Sequence, residues 1–206
     1  MAEPHETEVY ISADIETDGP VPGTFSMLSF GLAAVATFDG ESISPLDARA
    51  HARYWELVPV GERFDPEALA VNGLDRDRLI ETGQHPSEAM PSAARWVERV
   101  AGGRRPVLVA YPVAFDWMFL HWYFESFAGS SPFGHSSCVD IRSLYMGTAG
   151  VPFAQSSKRQ MPAGLQSRSA HTHHALEDAI EQGQLFVNVF DRSLAQARHR
   201  LASSTE

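Results

Sequence analysis

Residues 8–15 read EVYISADI, followed by Glu16 and the turn-forming stretch TDGPVPG over residues 17–23. β-Branched and aromatic residues fill the run, and Gly and Pro close it, which predicts a strand that ends at Asp14-x-Glu16. Residues two apart on a strand share a face, so both carboxylates point the same way. Val9, Ile11, Ala13 and Ile15 make the opposite face apolar. Working outward, residues 27–38 (MLSFGLAAVATF) predict a second, largely buried strand. Residues 50–59 (AHARYWELVP) predict a third, with a Gly/Ser/Pro-containing turn between the two. Successive strands with short connections imply an antiparallel meander.

Beyond residue 60 the pattern turns to helices separated by strands. Residues 65–71 (DPEALAV) open with an Asp N-cap and a Pro at the first helical position, and stop at Asn72-Gly73. Residues 86–100 carry Ala89, Met90, Ala93, Trp96, Val97 and Val100 at helical spacing before Gly102-Gly103. The continuous apolar run 106–110 (PVLVA) predicts a central strand buried on both faces. Residues 114–128 (AFDWMFLHWYFESFA) predict a buried helix opening near Asp116. A short strand should end near Asp140, and a helix should start over residues 141–146. Residues 147–172 predict mostly loop, with a short helix over 161–166, and residues 175–201 predict a long helix. Strands first and then alternating helices and strands describe an α/β fold, a mixed sheet with helices on its faces. The length predicts one domain over residues 1–206, with an ordered core of about 8–201 between polar ends.

A composition of 44% hydrophobic and 20% charged residues is that of a globular protein. No apolar run reaches the ~20 residues of a membrane span and the N-terminus is acidic, so a cytoplasmic location is expected. Cys138 is the only cysteine, which excludes an intramolecular disulfide and a thiolate zinc cluster. A metal would have to bind through oxygen or imidazole. The formal charge of -10 argues against a passive polyanion binder. It does not argue against a nuclease, because carboxylates gathered around divalent cations present a positive centre to substrate.

Three short segments carry chemistry. Asp14-x-Glu16, read alone, is an ordinary solvent-facing alternation of acids. Asp116 lies in one of the most apolar stretches of the chain, where an acid is either the N-cap of its helix or a metal ligand. His173-His174-Ala175-Leu176-Glu177-Asp178 reads as helix-start decoration, or, with His171, as weak evidence of an imidazole site for zinc.

Taken in order, Asp14-x-Glu16, Phe115-Asp116 and His173-x-Ala175-x-x-Asp178 resemble the DEDD exonuclease superfamily in its histidine subclass, which includes ribonuclease T, oligoribonuclease and the proofreading subunits of DNA polymerases. The segment from Phe64 to Asp75 (FDPEALAVNGLD) and Ser131-Pro132-Phe133 leading to Val139-Asp140 are most similar to ribonuclease T, and the likeness spans roughly Val9 to Val189. The resemblance implies a ribonuclease H-like fold with a five-stranded mixed sheet, three antiparallel strands and then parallel ones. It implies 3'→5' removal of nucleotides from single-stranded RNA or DNA, short oligonucleotides included, with release of nucleoside 5'-monophosphates. Asp14, Glu16, Asp116 and Asp178 would hold two divalent ions, Mg²⁺ or Mn²⁺, which suit all-oxygen ligands and serve the attacking and leaving oxygens of an in-line displacement. His173 would be the general base, on the loop just ahead of the last helix, with His174 as the fallback; a free imidazole has a reference pKa of about 6.5. Substrate contacts would come from Thr17, Met27, Leu28, Val71, Asn72 and Phe115. Related ribonucleases are commonly dimers, and the sequence leaves open whether this chain forms a homodimer.

Two positions depart from the pattern. Pro112 stands where many relatives carry Asn, and Val71 stands where ribonuclease T-like enzymes place a base-stacking aromatic residue. Trp55, Trp96, Trp117 and Trp122 read as core residues before base platforms. Arg104-Arg105 and Lys158-Arg159 are the best candidates for phosphate contacts, with Arg142 and Arg168 behind them, and Asp140 reads as a strand-end N-cap. A duplex endonuclease of the same broad fold and a non-catalytic binding module are the competing functions.

Overall fold

The computed structural model describes residues 7–167 and 172–203. β1 (Glu8–Thr17) runs antiparallel to β2 (Met27–Phe38) on one side and parallel to β5 (Arg105–Ala110) on the other, and β5 pairs in parallel with β6 (Cys138–Asp140). β2 also pairs antiparallel with β3 (Ile43–Pro45) and β4 (Ala52–Glu56). The sheet thus has six strands instead of five, yet is five positions wide. β3 lies against Ala36–Phe38 and β4 against Ser29–Ala33. The Asp47–His51 turn interrupts this edge, with the Ala50 and His51 amides bonded to Asp47 O. The Gly/Ser/Pro stretch expected to be only a turn therefore contains a short edge strand.

Around the sheet stand α1 (Pro66–Asn72), α2 (Arg76–Thr82), α3 (Pro86–Ala101), α4 (Val113–Ala128), α5 (Ile141–Ala149) and α6 (Ala175–Ser203). Their starts follow from capping chemistry. Asp65 accepts from Glu67 N at 2.9 Å ahead of Pro66, and Asp75 accepts from Arg78 N at 3.0 Å. Asp140 caps two helices at once, accepting from Val113 N at 2.8 Å and Ser143 N at 2.7 Å. α2 escapes the sequence reading because it is about two charged turns with only Leu79 buried. Residues 161–166 form turns and no helix: Leu165 N bonds Pro162 O and Gln166 N bonds Ala163 O, each three residues back, around Pro162 and Gly164. Two 3-10 turns, Phe153–Gln155 and Lys158–Gln160, precede them.

The alternation along β1 divides the core. Val9, Ile11, Ala13 and Ile15 pack with α3 and α4, where Phe119, Leu120, Tyr123 and Phe124 are buried. Tyr10, on the other face, joins Phe186 and Val189 of α6 and Ile141 and Tyr145 of α5. Each such large side chain contributes about 1.5–3 kcal/mol by leaving water. Trp55 and Trp96 are core, as expected, while Trp117 and Trp122 are partly buried against it. Among the described residues no helix is long and apolar enough to cross a membrane.

Candidate active site

The even residues at the end of β1 face α6, and this juxtaposition builds the site. Gly31 of β2 is the register partner of Asp14, and a Cβ there would lie 2.5 Å from Ala175 O and Leu176 Cα. Gly183 of α6 likewise leaves no room for a Cβ beside Val35 and Ser12. The two glycines let the helix backbone settle onto the sheet, which carries Asp178 to Asp14 and Glu16. Carboxylate oxygens of these three residues lie within 4.8 Å of one another. Asp116 comes to them from the first turn of α4. It is not the helix cap, since Pro112 occupies that position and Asp140 receives the Val113 amide.

The electrostatics are those of acids crowded away from water. Burial, and then the charges of Asp116, Glu16 and Asp178, push the Asp14 carboxyl well above the usual range. Burial and then the Asp178 charge raise Glu16 to about 7. Asp116 is raised too, mainly by burial, against hydrogen bonds from its own and the Ile15 backbone that favour the ionised form. Four acids so placed call for cations, and an all-oxygen donor set fits hard divalent ions.

Sequence reasoning missed the groups that orient these acids. Gln182 is buried one turn after Asp178; its Oε1 accepts from Tyr111 N at 2.6 Å, which turns its Nε2 to donate to Asp14 Oδ1 at 2.5 Å. The four-residue spacing from Asp178 was the available signal. Thr172 donates to Asp178 Oδ1 from its backbone N at 2.7 Å and from its hydroxyl at 3.2 Å. Asp18 is fully buried beyond Thr17, accepting from Ser26 N at 2.5 Å and from Arg76 Nε at 3.0 Å, and so closes the loop that follows Glu16.

The histidines separate. His173 is exposed, just ahead of α6, with φ of 56° in the left-handed region. The next residue supplies the carbonyl that takes the first helical bond, from Asp178 N at 3.0 Å, and its imidazole stacks on Tyr54 with centroids 4.5 Å apart. His174 is thereby packed against β4. His171 and Arg168 lie outside the described residues.

The expected substrate contacts are unequal. Met27 and Leu28 are 0% exposed, with the Met27 amide bonded to Tyr123 Oη at 2.7 Å, so neither side chain reaches the surface. Thr17 is buried with its hydroxyl on Gly19 O, and Asn72 Nδ2 donates to Thr17 O at 3.0 Å, tying α1 to the end of β1. Val71 and Phe115 are exposed, at 61% and 38%. Arg104 and Arg105 stand at the wrong end of the sheet: Arg105 pairs with Glu8, six residues and about 20 Å along β1 from Asp14. Arg142 is used structurally, donating to Ser156 Oγ and Phe153 O.

No family model matches the chain. It is 32% identical over 182 residues to the 3'-5' DNA exonuclease Cap18 of Escherichia coli, covering 88% of this chain and 91% of that protein. It is 26% identical over 186 residues to ribonuclease T of Shewanella denitrificans, covering 87% and 79%. The solved nuclease domain of 3'hExo, a DEDDh family member bound to rAMP, superposes with a TM-score of 0.64 over 92% of this chain and 94% of that one, at 12% identity. The chain belongs to the DnaQ-like 3'-5' exonucleases of the DEDDh family, metal-dependent hydrolases that act on nucleic acids.

Proposed function

We propose that the protein removes nucleotides one at a time from the 3' end of single-stranded nucleic acid, acting as a single exonuclease domain, with DNA as the first substrate to test. The observation that carries this reading is the convergence of Asp14, Glu16 and Asp178 within 4.8 Å beside buried Asp116. These four carboxylates would hold two ions, Mg²⁺ or Mn²⁺, which when bound neutralise the carboxylates and stabilise charge on the attacking and leaving oxygens. Gln182 fixes the orientation of Asp14, and Thr172 that of Asp178. His173 takes the proton of the attacking water at an imidazole nitrogen. The water oxygen bonds to phosphorus, the P–O3' bond breaks, the departing 3'-oxygen takes up a proton from solvent water to leave a new 3'-hydroxyl on the shortened strand, and a nucleoside 5'-monophosphate is released. Support for attack at a 3' end comes from Cap18, named a 3'-5' DNA exonuclease, with ribonuclease T named for RNA and 3'hExo bound to a mononucleotide. Support for a single strand comes from the solved complex of Escherichia coli exonuclease I with single-stranded DNA, which shares this fold at a TM-score of 0.52 and 16% identity.

A 5'-labelled oligonucleotide tests the proposal. Successive shortening from the 3' end, with mononucleotide products, is the expected result. Internal fragments would point to an endonuclease. Asp116→Ala should lower the rate at least about 100-fold, since a metal ion supplies several kcal/mol and 1.36 kcal/mol is tenfold. Full activity of that variant with Mn²⁺ supplied would defeat the metal mechanism.

A further inference from the structure

Lys158 is the only lysine of the chain; every other member of its sixteen basic residues is arginine. It stands in the second 3-10 turn of the connection between α5 and α6, and the stretch of that connection just before it, from Phe153 to Ser156, is tied to the body of the fold. Tyr111 Oη donates to Ser156 O at 2.8 Å, Arg142 Nε to Ser156 Oγ at 2.9 Å and Arg142 Nη2 to Phe153 O at 2.9 Å. The Arg142 guanidinium also lies over the Phe153 ring, 3.5 Å from its centroid.

What this holds in place is an ammonium group beside the carboxylates. Lys158 Nζ donates to Glu181 Oε2 at 2.5 Å and lies 5.2 Å from the Tyr111 ring centroid. Both partners lead directly to the metal-site acids. Tyr111 N donates to Gln182, which donates to Asp14, and Glu181 lies between Asp178 and Gln182 on the same stretch of α6. The Lys158 charge is close enough to act on Asp116.

An ion pair alone is a weak account of this arrangement, because a largely buried pair adds little net stability over apolar packing. Glu181 is 7% exposed, while the Lys158 side chain keeps 26% of its surface open. An ammonium has three donors and Glu181 takes one. A chain of charge -10 whose site is built of acids repels a polyanion, and a compact point charge at the edge of that site offsets the repulsion where it matters. We propose that Lys158 is a substrate-binding residue whose ammonium, positioned by Glu181 and Tyr111, binds a phosphodiester oxygen of the nucleic acid next to the carboxylate cluster. This rests on the exonuclease reading and adds a contact to it.

The single lysine makes the test residue-specific. Reductive methylation with ¹³C labels Lys158 and the α-amino group alone, and titration with a single-stranded phosphorothioate oligonucleotide should move the Lys158 resonance. Binding of the same probe measured against salt gives the second readout. Glu181→Gln serves as the reference, because adding Lys158→Met to it leaves no buried carboxylate unpaired, and melting curves verify that both variants are folded. The double variant should bind about tenfold more weakly and lose about 0.7 from its log K against log salt slope, the value of one single-strand phosphate contact. Lys158→Arg should keep the slope. A stationary Lys158 resonance and equal slopes, with wild type still trimming 3' ends, would overturn the Lys158 assignment alone. Absence of any trimming or binding by wild type would overturn the exonuclease reading and this contact together.

Discussion

His173 adopts a left-handed backbone immediately before the residue whose carbonyl starts α6. A non-glycine residue there is uncommon, and such conformations persist where the surroundings impose them. Both imidazoles are exposed at the start of α6, and His174 stacks on Tyr54 beside Glu56 and Glu177. The proposed general base can therefore be tested without disturbing the turn. Asn tolerates the left-handed region, so His173→Asn should keep the melting temperature of wild type. It should lower kcat by about 10²- to 10⁴-fold, the usual worth of a positioned base. Unchanged kcat in that variant would remove His173 from the mechanism. Residue identity made this site legible as a pattern, because Asp14, Glu16, Asp116 and Asp178 sit in segments whose strand or helix character is plain. Gln182 and Thr172 escape a sequence reading because nothing in a Gln or Thr taken alone marks it, and Lys158 reads there only as a phosphate-contact candidate; their places beside the acids arise from hydrogen bonds such as Gln182 to Asp14 and Lys158 to Glu181.

At the scale of elements, the approach of α6 to β1 and β2 decides whether the acids meet. The period-two run of β1, the continuous apolar run of β5 and the long helical pattern of α6 each gave the element type and nearly its limits. What no periodicity expresses is the distance between two elements, and here Gly31 and Gly183 set it. Gly31→Ala would place a methyl group against backbone that cannot rotate away, so α6 must lift at its N-terminus. Overpacking of this kind costs about 1–3 kcal/mol. The displacement of Asp178 from Asp14 and Glu16 should cost about 100-fold in rate, as misplacement by ~1 Å does. Gly147→Ala is the control, since a Cβ there meets nothing within 4 Å. Equal rates for the two variants would show that the close approach does not position the site. The elements that sequence failed to show, β3 and α2, are short and carry one buried residue at most, so they have no hydrophobic pattern to detect.

Across the whole molecule, the acid cluster opposes folding when no cation is present. Glu16 titrates near 7 in the folded chain against about 4.5 when free, and Asp14 and Asp116 are raised in the same direction. The folded protein therefore holds protons that the unfolded chain releases. Stability contributed by these groups is greatest at the acid end and falls as pH rises from about 4.5 through about 7. In EDTA, wild type should melt at least about 3 °C lower at pH 8 than at pH 5.5 when each is compared with Glu16→Gln, since 1 kcal/mol shifts a chain of this size by roughly 2–4 °C. Mn²⁺ or Mg²⁺ should reverse the loss at pH 8, by about 2.7 kcal/mol at a hundredfold excess over Kd, with protons released on binding. Glu16→Gln should be the more stable protein in EDTA at pH 8 and gain less from the cation. Melting of wild type and variant that runs parallel across this pH range, with and without metal, would mean that the carboxylates at the end of β1 do not form the cation site, and the exonuclease mechanism would lose its foundation.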